Sequence, residues 1–291
     1  MSGEQDWTVL RLLRWTTEFF ESRRVLPARR QAEDLLGHAL ELDRLHLYLQ
    51  FEYAPSASEL ALFRGLVQRR GRGEPLQYLL GWQPFLGLRI GTDRRALIPR
   101  PETEALAEKA VAWLKSLGAP AAAADVGTGS GCLALALAAL AGARVFATDI
   151  SAEALQLARE NASALGLDPA PVFLEGPLFE PLRREGLGGL DLLVSNPPYV
   201  ALGEKAGLPA EVRDWEPASA LFAGPEGLDV LVPLLEGAAE FLRPGGRLAL
   251  ECGLGQAEKL EKLAGGRAGF RSAWTEKDPQ GRVRYLWAEK A

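Results

Sequence analysis

Asparagine is nearly absent: the 291-residue chain holds two, Asn161 and Asn196. Its one Met is Met1, it has two Cys and two His, and only 7 of its 33 basic residues are Lys, the other 26 being Arg. Two Cys cannot staple a disulfide scaffold, and with two His they furnish no zinc site; no metal is expected. Cys132 and Cys252 lie in apolar or Gly-containing stretches and read as buried, reduced thiols. No apolar run reaches the ~20 residues of a membrane-spanning helix, and the polar, acidic start lacks a signal-peptide pattern. A cytoplasmic protein with no membrane partner is the expectation. Ordinary apolar (47%) and charged (24%) fractions exclude a disordered chain. The shortage of Asn and Met fits heat adaptation or a GC-rich genome. It also marks the two remaining Asn as positions worth following.

The length suits one large or two unequal domains, and charge divides them. Residues 1–95 carry 14 Arg and 12 acids, a net of +2, whereas residues 96–291 carry 19 basic and 26 acidic residues, a net of −7. Helical spacing dominates the first part. Asp6 is placed to cap a helix with Val9, Leu12, Leu13, Thr16, Phe19 and Phe20 on one side. A second helix follows Pro27, with Leu35, Leu36 and Leu40 inward. A third starts near Ser58, with Phe63, Leu66 and Val67 inward, and Gly71, Gly73 and Pro75 end the helical run. Residues 1–75 thus read as a helical bundle. Residues 76–98, punctuated by Gly81, Pro84, Gly87 and Gly91, read as a β-hairpin linker.

Residues 99–291 alternate. Strands ending at Val126, Thr148, Leu174, Val194 and Glu251 are separated by helical stretches, among them 131–141, 152–165 and 230–242. A closing hairpin surrounds Asp278-Pro279-Gln280-Gly281. Repeated βα units predict an α/β fold: a doubly wound, mainly parallel sheet with helices on both faces and one antiparallel addition.

Asp125-Val126-Gly127-Thr128-Gly129-Ser130-Gly131 joins a strand to a helix. Its glycines permit a tight turn and close approach to a ligand, and the helix start offers free N–H groups. Asp149 ends the next strand, 20 residues after Gly129, where a carboxylate can accept the two hydroxyls of a ribose. The pair points to an adenosine-type cofactor. No Gly-Lys-Ser/Thr follows, so this is no P-loop. The dinucleotide fingerprint needs its third Gly where Cys132 stands, and the loop has no cation for a pyrophosphate. A phosphate-free cofactor ending in a sulfonium and a carboxylate fits better: S-adenosylmethionine.

The apolar strand Leu190–Ser195 runs into Asn196-Pro197-Pro198-Tyr199. At the switch point of a doubly wound sheet this tetrapeptide should face the glycine loop. Two prolines fix φ and remove two donors, so the Asn196 and Pro197 carbonyls and the Asn196 side chain form a rigid set of acceptors, with the Tyr199 ring available as a wall. Such a cradle suits a planar –NH2. Accepting both N–H groups orients a poorly nucleophilic nitrogen and stabilises its growing positive charge.

Together, Gly127–Gly131, Asp149 and Asn196–Tyr199 resemble class I methyltransferases that act on planar nitrogens. Ile98-Pro99-Arg100-Pro101-Glu102-Thr103-Glu104, Pro75-Leu76-Gln77-Tyr78, Glu216-Pro217, Glu251 and the stretch Asp278 to Arg284 narrow the likeness. They resemble the bacterial peptide chain release factor glutamine methyltransferases (the PrmC or HemK family) over roughly residues 25 to 288. The resemblance implies a seven-stranded, Rossmann-like catalytic domain. It implies methyl transfer to N5 of the glutamine in the Gly-Gly-Gln loop of class 1 release factors, with S-adenosylhomocysteine as product. By the same likeness Gly127, Thr128, Gly129, Ser130 and Gly131 hold the methionine part of the cofactor and Asp149 its ribose, while Pro177 and Leu178 flank the adenine. Asn196 to Tyr199 receive the substrate amide, with Asn196 also counted among the cofactor-binding residues, Arg100 and Glu102 line the mouth of the site and touch substrate, and the helical domain docks the release factor. A monomer without a nucleic-acid partner is expected. Three other readings stand beside this one: a ribosomal-protein glutamine methyltransferase, a DNA adenine-N6 methyltransferase, and a non-catalytic cofactor-binding module. The acidic body argues against DNA. Asn161 receives no role from its position.

Overall fold

The computed structural model describes residues 7–265 and 269–291. Among the described residues before Gly81, helical periodicity resolves into five helices: α1 (Val9–Ser22), α2 (Ala28–Leu40), α3 (Arg44–Leu49), α4 (Ala57–Gly71) and α5 (Leu76–Leu80). Leu12, Leu13, Phe20, Leu35, Leu36, Phe63 and Leu66 form their shared core. Thr8 caps α1, its hydroxyl accepting the Arg11 N–H; the cap expected at Asp6 lies outside the described residues. Ser56 and Glu59 close α4 with a reciprocal capping box.

Two short helices depart from the sequence reading. α3 is a turn and a half, capped by Asp43, too short to show a period. α5 occupies the start of the stretch expected to be hairpin. Gly81, read there as strand punctuation, is a left-handed helix stop (φ 77°). The hairpin is therefore confined to β1 (Trp82–Phe85) and β2 (Leu88–Gly91), paired antiparallel through a Leu86-Gly87 turn. No strand spans residues 92–98.

The second unit carries the sheet. Its strands are β3 (Ala122–Val126), β4 (Arg144–Asp149), β5 (Val172–Glu175), β6 (Leu190–Ser195), β7 (Leu242–Glu251), β8 (Phe270–Lys277) and β9 (Val283–Lys290). They lie in the order β5-β4-β3-β6-β7-β9-β8. Pairs from β5 to β7 are parallel; β9 runs antiparallel to β7 and β8. The helices that follow α5 in the chain are α6 (Pro101–Ser116), α7 (Cys132–Ala141), α8 (Ala152–Ala164), α9 (Glu180–Arg184), α10 (Ala210–Trp215), α11 (Leu231–Phe241) and α12 (Gln256–Ala264), of which all but α10 belong to this unit. Strand alternation feeds a core on each face: Ala123 packs with Leu106 and Leu133, whereas its neighbour Ala124 packs with Leu234 and Phe241. The doubly wound seven-stranded sheet is the one expected. Both thiols are buried and neither forms a disulfide.

One helix does not stay with its neighbours in sequence. The chain divides into a unit ending at Gly81 that also takes Pro209–Trp215, and a unit of Trp82–Leu208 with Glu216–Ala291. Within the first unit the buried Arg70 guanidinium donates to Glu211 of α10 at 2.8 Å.

Candidate active site

The end of β4 flanks β3 on one side and the end of β6 flanks it on the other. The winding reverses there, and a crevice opens at the carboxyl ends of the strands. It is a cavity of about 590 Å³, within the range of small-molecule sites.

The glycine loop forms one side. Gly127, Gly129 and Gly131 have φ of 76°, 56° and 84°, a left-handed geometry that is costly for an L side chain. The Gly127 and Thr128 N–H groups both donate to the Thr148 carbonyl, at 2.8 and 2.9 Å, tying the loop to β4. Gly127 and Gly129 border the cavity, whereas Thr128, Ser130 and Gly131 are outside its lining. Thr128 instead donates its hydroxyl to Asp125 Oδ2 at 2.6 Å, and the Ala134 N–H donates to the same oxygen at 3.1 Å. Asp125 thus anchors the loop to the first turn of α7. Its Oδ1 is buried without a hydrogen-bond partner among the described residues. Burial, with a smaller contribution from the Asp149 charge, pushes the Asp125 carboxyl up to about 7.

Asp149 stands on the cavity wall. Its Oδ2 accepts the Gly129 N–H at 2.8 Å and its Oδ1 the Ser151 N–H at 2.9 Å. Burial raises its pKa from the usual carboxylate range despite these bonds. Ile150, Pro177 and Leu178 continue the same wall. Asn161, which the sequence left without a role, clamps this region from behind. Its Oδ1 accepts the Gly91 N–H at 2.8 Å, and its Nδ2 donates to the Gly91 and Ser130 carbonyls at 3.1 and 2.9 Å. The clamp joins the hairpin to the glycine loop.

The tetrapeptide forms the opposite side. Ser195 donates its hydroxyl to the Val126 carbonyl, fixing the end of β6 to the end of β3. Asn196, Pro197 and Pro198 border the cavity. Asn196 Nδ2 donates to Thr103 Oγ1 at 2.9 Å. The Thr103 hydroxyl donates to Glu251 Oε2 at 2.7 Å, and Tyr199 donates its hydroxyl to Glu251 Oε1 at 3.0 Å. Arg284 Nη2 donates to the Tyr199 oxygen at 2.8 Å and stands 4.0 Å from Glu251 Oε1. Burial raises the Glu251 pKa, opposed by the Thr103 bond, the Arg284 charge and the Tyr199 bond.

Tyr199 is not the wall that the sequence suggested. Its hydroxyl is drawn back to Glu251, its ring lies 5.2 Å beneath Arg284, and it is outside the cavity lining. Its carbonyl is fixed as well: Gln256 Nε2 donates to it at 3.0 Å. Gly227 presses against the same oxygen, and a Cβ at 227 would lie 2.1 Å from it.

Arg100 and Glu102 have protein partners. Arg100 pairs with the buried Glu216, which also accepts the Ile98 N–H at 3.2 Å. Glu102 pairs with Arg282 at 2.8 Å, and its carbonyl accepts the Tyr285 hydroxyl at 2.7 Å. Neither is in the cavity lining, which instead includes Leu97, Pro217 and Phe222. Sequence reasoning gave those three no role. Pro217 belongs to the Glu216-Pro217 pair that carried the resemblance, and Leu97 directly precedes Ile98-Pro99-Arg100; Phe222 had no such signal.

Comparison with known proteins gives the class of the chain. Residues 108–208 match the family described as the methyltransferase small domain. A solved structure of the T. thermophilus 16S rRNA N2 G1207 methyltransferase, in complex with AdoMet and guanosine, superposes with a TM-score of 0.53 at 23% identity, covering 72% of this chain and 50% of that one. The fold is that of class I methyltransferases, and the enzyme class is an S-adenosylmethionine-dependent methyltransferase. The helical unit narrows it further, since residues 11–81 match the PrmC N-terminal domain. The release factor glutamine methyltransferase of Geobacter sulfurreducens is 43% identical over 94% of this chain and 94% of its own length. That of Rhodopirellula baltica is 37% identical over 100% and 99%. The chain belongs to the release factor glutamine methyltransferase family.

Proposed function

We propose that this chain methylates N5 of the glutamine in the Gly-Gly-Gln loop of class 1 peptide chain release factors, releasing S-adenosylhomocysteine. The observation that carries this reading is the orientation of Asn196. Its amide nitrogen is spent on Thr103, so its oxygen is the atom left to receive a donor at the cavity edge. Bound S-adenosylmethionine supplies an electrophilic methyl on a sulfonium, itself a good leaving group.

Everything else falls to the protein. An amide nitrogen is a poor nucleophile because its lone pair is delocalised. Asn196 Oδ1 and the Pro197 carbonyl accept its two N–H groups, turn the lone pair toward the methyl, and stabilise the positive charge that grows on nitrogen. Pro197 and Pro198 hold φ fixed, so these acceptors do not reorganise during the reaction. The methylated, cationic amide is a strong acid and releases its proton to water, so no general base has to act beforehand.

The cavity suits the cofactor. With glycine at 127 and 129 no side chain fills the loop, whose backbone (Gly127 to Gly131, with Thr128 and Ser130 bracing it) would cradle the methionine part. Asp149 keeps unused lone pairs for the ribose hydroxyls, and Ile150, Pro177 and Leu178 offer an apolar wall for adenine. Arg100 and Glu102 act on the substrate through the frame: their ion pairs with Glu216 and Arg282 hold the start of α6. The helical unit docks the release factor. Support comes from its own groove of about 530 Å³, where Trp7, Trp15 and Phe19 sit beside Arg23, Arg64 and Arg72, an aromatic and cationic face suited to an acidic protein surface. Such a substrate implies a cytoplasmic location.

Incubation of release factor with enzyme and cofactor, followed by mass spectrometry of its peptides, tests the reaction. A mass gain of one CH2 confined to the Gly-Gly-Gln glutamine is expected. An unmodified glutamine, or methyl groups found only on ribosomal protein or DNA offered in parallel, would refute it.

A further inference from the structure

A carboxamide has two ends of nearly equal size and opposite hydrogen-bonding character. The proposed chemistry needs the oxygen of Asn196 toward the substrate, because its –NH2 would confront the N–H groups of the glutamine. Something must forbid the flip. Asn196 cannot do so itself, and the hydroxyl that its side chain bonds, that of Thr103, can donate or accept.

The hydroxyl has one proton, and its destination is fixed by Glu251. That carboxylate is buried at the end of β7 and accepts on both oxygens, from Tyr199 on Oε1 and from Thr103 on Oε2. The Tyr199 oxygen in turn accepts from Arg284, so the tyrosine proton is committed to Glu251 as well. In the ionised form, which the Arg284 charge 4.0 Å from Oε1 favours, the carboxylate has no proton to give. Thr103 must therefore donate to Glu251, its oxygen can only accept from Asn196, and Asn196 must turn its nitrogen inward. The direction of every bond follows from one charge.

We propose that Glu251 is a positioning residue for methyl transfer: through Thr103 it sets which end of the Asn196 amide faces the substrate. The proposal rests on the acceptor role of Asn196 proposed above. It gives a buried carboxylate outside the cavity lining a defined part in turnover, and it separates the two conservative changes at Thr103. Serine keeps the relay and valine cuts it. The geometry also specifies what Glu251→Gln does. Arg284, 4.0 Å from Oε1, keeps an oxygen on its own side, so the new –NH2 faces Thr103. Thr103 then accepts from residue 251 and donates toward Asn196, which turns its oxygen inward and its –NH2 toward the substrate.

The test measures methylation of intact release factor by full-length wild-type, Thr103→Ser, Thr103→Val, Glu251→Gln and Asn196→Ala enzymes, with cofactor Kd by calorimetry and melting temperature for each. For Thr103→Val and Glu251→Gln we expect kcat to fall on the order of 100-fold, the scale of a misdirected catalytic contact, while cofactor Kd and the KM for release factor change less than about threefold. Thr103→Ser should keep most of the wild-type rate. A purely structural role would lower the melting temperature of the valine and glutamine variants and leave kcat of the folded fraction intact; that outcome overturns the proposal. So does an equal loss in Thr103→Ser and Thr103→Val. If Asn196→Ala itself turns over at the wild-type rate, the acceptor reading fails first. If Asn196→Ala is inactive and both relay variants are fully active, the acceptor reading stands and the relay alone is refuted.

Discussion

Replacing Asn196 with Ala removes the side-chain acceptor and leaves the two prolines and the backbone in place. The structure allows the loss to be divided. Asn196 Oδ1 is one of two acceptors proposed for the substrate –NH2. Removing one preorganised partner of a developing charge in a dry site typically costs about 2.7–4 kcal/mol, or 10²–10³-fold in rate. The lost Nδ2 bond leaves Thr103 Oγ1 without a donor, and an ordinary bond of that kind is worth about 1 kcal/mol of stability. Thr103 still donates to Glu251, so the fold should persist. Cofactor affinity should fall far less than the rate, because Gly127, Gly129 and Asp149 border the cavity independently of Asn196. Asn196→Asp should be no better: it keeps the shape but adds a second carboxylate on Thr103, whose single proton already goes to Glu251. Single-turnover transfer to release factor, read beside cofactor calorimetry, checks both parts. A wild-type rate in Asn196→Ala would refute the acceptor argument, and a parallel collapse of cofactor binding would move Asn196 from catalysis to cofactor recognition.

Asp149→Ala should weaken cofactor binding by about 1.5–3 kcal/mol, the range for hydrogen bonds to a charged group; unchanged affinity by calorimetry would reject the ribose role. Asp125 gives a pH prediction. Its folded pKa of about 7 lies above its ordinary value of 3.8, so between these values the folded state holds a proton that the unfolded state has released. Its contribution to stability is therefore full below about pH 4 and is lost as pH rises through about 7. Urea unfolding at both ends of that window should show wild type losing more stability than Asp125→Asn, and equal losses would contradict the assignment. Trp15, 47% exposed in the helical groove, should matter for docking alone. Trp15→Ala is expected to raise the KM for release factor severalfold while a free Gly-Gly-Gln peptide is methylated as before, and an unchanged KM for the whole protein would remove the groove from the docking surface.

How much of this was legible in the sequence depended on distance along the chain. The sheet strands, the glycine loop and the Asn-Pro-Pro-Tyr turn are local patterns, and period and turn chemistry reveal them within a few residues. α3 and α5 are local too, but at six and five residues they are too short to show a period. The bracing of the site is not local. Thr103 reaches Glu251 across 148 positions, and Asn161 reaches Gly91 across 70. Nothing in the spacing of either pair announces the bond. The same limit applies to Arg100, which the resemblance placed at the mouth of the site and which pairs with a buried carboxylate 116 positions away. Motifs single out the groups proposed to meet a cofactor; the residues that aim those groups emerge only once strands are in register.

The excursion through Pro209–Trp215 changes what kind of object the helical unit is. The polypeptide passes between the two units after Gly81, after Leu208 and after Trp215, so three covalent crossings join them where a simple fusion has one. A single proteolytic cut cannot release the helical unit as an intact fragment. A chain begun at Trp82 would retain α10 but lose Arg70, the buried guanidinium that pairs with Glu211. The unit cannot be exchanged as a cassette by splicing at one junction. Any graft of this unit has to carry both pieces, and its inheritance is bound to the stretch of sequence from Trp82 to Leu208 that separates them.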